Sequence, residues 1–222
     1  MYIKALTLHT SQLEKQCRFY GDVLGLDVRQ VSDGSYRFRL GDTFVRLQAS
    51  PNAKPYHFAI NIPHNQSQEA LAWLKKRVEI LTDAGNEIQD FVNWEAEAIY
   101  FYDEDKNIVE LIARRKLDNH SDEPFGPHAF LAVSEIGMPT LDIETKFALI
   151  QKQLGLSIYD GSFERFCAIG DEHGLFICID KSKKDWFPSN DKAWSANFQA
   201  LIDNGQATFS VSFHDDKLVI EG

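Results

Sequence analysis

Glu110 sits in the run VELIA, where Val109 and Leu111 alternate with it and so occupy the opposite face of a strand. If the face carrying this carboxylate lines a cavity, a metal, a cation or a hydrogen-bond donor must offset its desolvation. Upstream, HFAINIP opens another strand on His57, and the two residues together could hold a divalent ion. Arg46 and His9 are further candidates. The guanidinium of Arg46 stays protonated and could pair with Glu110 or grip a substrate carboxylate or phosphate with its planar fork. His9 would join the same ion only through a shifted or bulged strand. Trp94, Tyr100, Phe101 and Tyr102 offer ring faces for a planar substrate, and Tyr102 adds a phenolic donor for substrate contact.

Each residue also has a plainer role. For His57 it is to start its strand and bond locally, and for Glu110 it is to pair with Arg46 for structure alone. His128, His173 and His214 fall at a strand edge or in polar turns and read as solvated. Cys17, Cys167 and Cys178 are oddly spaced within apolar patterns, as buried reduced thiols of a cytoplasmic protein would be. KSKKDW, residues 181 to 186, reads as a solvated loop. The chain has no glycine-rich phosphate loop, Ser/His/Asp order or CxxC pair.

The elements that would position these residues recur along the chain. Residues 2 to 10 alternate as a strand, and Leu13, Cys17, Tyr20 and Leu24 follow at helical spacing up to an LGL turn. Strands are expected near 27 to 32, 35 to 40 and 43 to 49, with Asp33-Gly34 and Gly41-Asp42 as hairpin turns. A second unit starts at His57, with a helix near 66 to 82 and strands near 86 to 91, 96 to 102 and 107 to 113. RRKLDNHSDEPFGP, residues 114 to 127, has linker composition and marks the boundary between domains 1–115 and 126–222. A third unit follows, with its own helix ending on LGL. The fourth is truncated: 183 to 205 reads as loop with room for a short helix, then TFSVSF and KLVIEG form a hairpin. The repeat of about 55 to 60 residues indicates duplication rather than a solenoid.

Composition sets bounds. A chain of 222 residues suits two domains of about 110. A net charge of −10 speaks against a nucleic-acid surface, and no apolar run is long enough to span a bilayer. The strand pattern begins at the N-terminus with no signal peptide, which points to the cytoplasm.

A His opening one strand, an amphipathic helix, and strands closing on a DEDKN turn and a Glu resemble one βαβββ module of the vicinal oxygen chelate superfamily. That superfamily includes glyoxalases, extradiol dioxygenases, bleomycin-resistance proteins and fosfomycin-modifying enzymes. The resemblance implies an α+β fold of tandem modules forming two half-open barrels, the first built from units one and two and the second from units three and four. It puts potential ligand positions at Ala5, Arg46, His57 and Glu110 in the first barrel and at Glu135, Cys178, a residue near Thr208, and Glu221 in the second. A dioxygenase-type site needs two histidines and one carboxylate. Here the expected ligands are His57 and Glu110, completed by water or His9, with Fe, Mn, Zn or Ni as the ion and an incomplete ligand set. The implied function is a metal-dependent glyoxalase or ring-cleaving dioxygenase acting on a small vicinal-oxygen substrate. The alternatives are a metal-free binding module of the bleomycin-resistance type and a partner-binding scaffold. The expected partner is a small molecule, not nucleic acid or membrane, with a homodimer left open.

Overall fold

The computed structural model describes residues 1–222. Its first module comprises β1 (Tyr2–Thr10), α1 (Leu13–Arg18), β2 (Arg29–Gln30), β3 (Tyr36–Leu40) and β4 (Thr43–Ala49). The second comprises β5 (His57–Ile62), α2 (Ser67–Leu74), β6 (Ile80–Leu81), β7 (Gln89–Phe91), β8 (Ala96–Tyr102) and β9 (Ile108–Arg114). The third comprises β10 (Ala132–Thr140), α3 (Ile143–Leu154), β11 (Ile158–Ser162), β12 (Phe166–Asp171) and β13 (Gly174–Asp180). The fourth is a meander of β14 (Phe198–Asp203), β15 (Thr208–His214) and β16 (Lys217–Glu221), with no helix.

The mixed sheets and few helices make an α+β fold, but the modules pair differently from the expectation. β5 of the second module lies antiparallel to β10 of the third, with Ala59 opposite Glu135. β1 of the first lies antiparallel to β14 of the fourth, with Leu8 opposite Phe198. One sheet of nine strands therefore joins modules two and three, and one of seven joins modules one and four. The expected barrels of units one with two and three with four are corrected accordingly. Strand character agrees with this pairing. β5, β9 and β13 are buried along their whole length and β10 nearly so, as strands covered on both faces are. β4 and β14 alternate buried with exposed residues, as strands with one wet face do.

Local chemistry sets the remaining boundaries. α3 is capped by Asp142, whose carboxylate accepts from the Thr145 amide at 3.0 Å, and it ends on Gly155 at φ +68°. α2 stops at Leu74, short of the expected residue 82, because Ile80 and Leu81 are taken by pairing with Phe101 and Tyr100 of β8. The segment expected to be loop with a short helix instead contains β14. Thr43 ties the two sheets together: its hydroxyl donates to the Ile3 carbonyl at 2.7 Å and accepts from the Val133 amide at 2.9 Å. The main core draws on both sheets and all three helices, and a smaller apolar cluster lies on the far face of the nine-stranded sheet. That second face carries the site.

Candidate metal centre

On the second face, register alone brings two acids together. Ala59 of β5 pairs with Glu110 of β9 on one side and Glu135 of β10 on the other, so one row across three strands reads Glu, Ala, Glu. His57, two residues before Ala59, points to the same side. The donor atoms of His57, Glu110 and Glu135 all lie within 4.8 Å of one another. His57 Nε2 is 3.5 Å from Glu110 and 3.9 Å from Glu135. The other ring nitrogen, Nδ1, lies 3.2 Å from the Ile108 carbonyl. Donation to that carbonyl leaves the Nε2 lone pair facing the carboxylates.

All three residues are buried. Burial pushes the His57 pKa down to about 4, with the Ile108 contact opposing it. His57 is therefore neutral at pH 7 and its contacts with the glutamates are not ion pairs. Burial, reinforced by the charge of Glu135, pushes Glu110 well above the usual carboxylate range against the pull of Arg114 and Tyr100. Glu135 is also raised by burial, with Arg114 opposing. Three acceptors thus face one another, and either a retained proton or a cation must sit between them. The donor set fits a divalent ion: one imidazole and two carboxylates offset a 2+ charge, and Arg114 occupies one oxygen of Glu135 while leaving the other facing His57.

The fully buried Arg114 also donates to Asn61 Oδ1 at 3.1 Å, and its guanidinium carbon lies 5.5 Å from the centre of the Trp94 ring. Above the acids is a cavity of about 300 Å³, whose aromatic wall includes Phe91, Trp94, Tyr100, Phe166 and Trp186. Ala59, Ala96, Ala98 and Ala168 belong to the buried apolar cluster on this face of the sheet. Its roof is the segment 181–197, which contributes Trp186, Phe187 and the cation Lys184. Gly137 makes room for the roof: a Cβ there would lie 2.8 Å from Trp186.

The structure brings His57 and Glu110 together and adds Glu135, whose expected position is the other barrel. It does not bring Arg46, His9 or Tyr102 to the site. Arg46 lies on β4 of the seven-stranded sheet, paired with Asp33 and bonded to Ser35 at 2.9 Å. His9 lies on β1 of that sheet and lines a different cavity. Both were misplaced because the first and second modules do not share a sheet. Tyr102 bonds to Asp191 of the roof and lines a side pocket, while Tyr100, directly opposite Glu110, faces the site. Period-two alternation from Glu110 could not choose between Tyr100 and Tyr102, which lie on the same face of β8.

No protein-family model matches the chain. Metallothiol transferase FosB of Staphylococcus haemolyticus is 31% identical over 117 residues, covering 49% of this chain and 81% of that protein. FosB of Staphylococcus epidermidis is 30% identical over the same shares. Among solved structures, a putative dioxygenase from Bacillus subtilis superposes with a TM-score of 0.58 at 16% identity, over 81% of this chain and 63% of that one. Glyoxalase I from Zea mays gives 0.53 at 17% identity, over 80% and 66%. Paired modules of this kind define the glyoxalase-like fold. The chain belongs to the vicinal oxygen chelate superfamily. No helix is long and apolar enough to cross a membrane.

Proposed function

We propose that the chain is a metal-dependent enzyme in which His57, Glu110 and Glu135 hold a divalent cation and the aromatic cavity above them holds a small substrate with two adjacent oxygens. The observation that carries this reading is the convergence of three buried protein donors within 4.8 Å on the floor of that cavity. Bound there, the cation would supply Lewis-acid polarisation of the substrate oxygens. The protein does the rest. His57 is held in one tautomer by Ile108, Arg114 orients Glu135, and Tyr100 stands opposite Glu110. Trp94, Phe166 and Trp186 enclose a planar apolar body, and Lys184 at the wall suits an anionic substituent.

One histidine with two carboxylates is a harder, more oxygen-rich set than the two-histidine, one-carboxylate triad of non-haem iron oxygenases. The balance therefore favours isomerisation or group transfer over oxygen-dependent ring cleavage. The staphylococcal relatives are metallothiol transferases, which supports a metal-assisted transfer. A second reading, a metal-free binder, draws on the Arg114 contact that already neutralises part of the charge on Glu135. Elemental analysis of untagged protein, followed by calorimetric titration of Mn²⁺, Ni²⁺ and Zn²⁺ into wild type and Glu135→Gln, separates the two. Metal bound by wild type and lost in the variant supports the enzyme reading. Wild type that binds no metal, yet binds aromatic anions, supports the binder.

A further inference from the structure

The seven-stranded sheet has its own cavity, of about 1150 Å³, which shares no lining residue with the metal pocket. It opens at one end of the sheet, where His9, Gln48, Gln199 and His214 come from four adjacent strands, and its far wall is the segment 181–197. Fourteen of the nineteen lining residues are not hydrophobic, so the cavity suits a hydrogen-bonding ligand rather than an apolar one.

The sign of the charge in the cavity is opposite to that of the whole chain. Lys54 and Lys192 place their ammonium groups 5.0 and 4.6 Å from the centre of the Trp194 ring, and neither is within ion-pair distance of a carboxylate. Of the two aspartates in the wall, one is matched by lysines and the other is largely exposed. Asp216 is held by Lys181 at 2.9 Å and by Lys146 at 3.5 Å, and Asp215 lies 3.1 Å from His214 Nδ1. Lys181 is itself steadied by Ser195 at 2.6 Å. Two unpaired cations held against one ring repel each other, and a ligand with two negative charges would relieve that repulsion. On a protein of net charge −10, a local positive field is a specific arrangement rather than a property of the surface at large. Gln48, Asn52 and Gln199 offer amide donors and acceptors for hydroxyl groups.

We propose that this cavity is a second binding site, for a small hydrophilic organic dianion of the sugar-phosphate or polyhydroxy-dicarboxylate kind. The test is calorimetric titration of the full chain with glucose 6-phosphate, glucarate, inorganic phosphate and glucose. Either organic dianion should bind, more tightly than inorganic phosphate and far more tightly than glucose, and whichever of the two binds better identifies the charged group. The double variant Lys54→Gln with Lys192→Gln should weaken that binding by roughly tenfold or more. Glu135→Gln, altered at the metal centre, should leave it unchanged. The proposal is overturned if neither dianion binds, if glucose or inorganic phosphate binds equally well, if the double variant keeps wild-type affinity, or if Glu135→Gln abolishes binding. Because the site is independent of the metal, these outcomes stand whether or not the centre loads an ion.

Discussion

Corresponding rows of the two sheets carry opposite chemistry. Across β9, β5 and β10 the row reads Glu110, Ala59, Glu135; across β4, β1 and β14 it reads Arg46, Thr7, Gln199. Both rows join the first strands of two modules to a last strand, yet only one is packed under aromatic side chains. Segment 181–197 and its aromatics cover the acid row, so its charges are desolvated and need partners. The arginine row is not packed over in this way: Gln199 lines a hydrophilic cavity, and Arg46 reaches a half-exposed Asp33. A shared backbone plan thus supplies positions, while burial decides whether a charge placed there joins a desolvated cluster or makes a surface contact.

The largest expected effect comes from removing the same charge on each sheet. Arg114→Met strands Glu135 and should cost about 3–5 kcal/mol of stability, whereas Arg46→Met should cost about 1 kcal/mol or less. Urea denaturation with chelator present measures both, and equal costs would erase the distinction. Next, His57→Ala and Glu135→Gln should each weaken divalent-metal binding by at least about 100-fold, and Thr7→Val on the other sheet should not change it. Inductively coupled plasma analysis after dialysis reads this out, and full metal content in His57→Ala would remove that residue from the ligand set.

Smaller effects sharpen the contrast. Gly137→Ala drives a methyl to 2.8 Å from Trp186 and should cost about 1–3 kcal/mol while lowering affinity for aromatic ligands. Unchanged ligand affinity would show that Trp186 does not shape the cavity. Protonation gives the finest probe. Glu110 and Glu135 are raised, so in metal-free protein their contribution to stability is present at low pH and lost as pH rises through their folded values. His57 is lowered to about 4, so its contribution is present above about 6.5 and lost as pH falls towards about 4. A cation must displace the proton that the acids retain while His57 is already neutral. Metal affinity should therefore rise with pH, with about one proton released per ion, read by calorimetry in buffers of different ionisation enthalpy. Proton uptake, or none, would contradict the retained proton at the acids.

Much of this was legible in local pattern. The alternation around Glu110 and the apolar run after His57 placed both on strands, and the helix ending on LGL in the third module matches α3 closely. What period and composition do not encode is which module meets which. Glu135 was recognisable as a ligand position, but its meeting with Glu110 depends on β10 pairing with β5 across the linker. Arg46 and His9 went astray for the same reason. FQALID, which forms β14, alternates as a strand should, yet the polar stretch before it masks that pattern. The roof was equally hidden, because a lysine-rich segment looks solvated until Trp186 is seen packed 4.8 Å from the His57 ring.

The nested pairing of modules also sets an order in time. Residues 57 to 180 contain every strand of the nine-stranded sheet, so a growing chain holds that sheet complete before β14, β15 and β16 are made. β1, made before every other strand of the two sheets, waits longest, since its partner β14 begins only at Phe198. During synthesis its outer edge is left unpaired, a strand open to wrong partners. The earliest-made strand of the pair of sheets is thus among the last to be flanked on both sides.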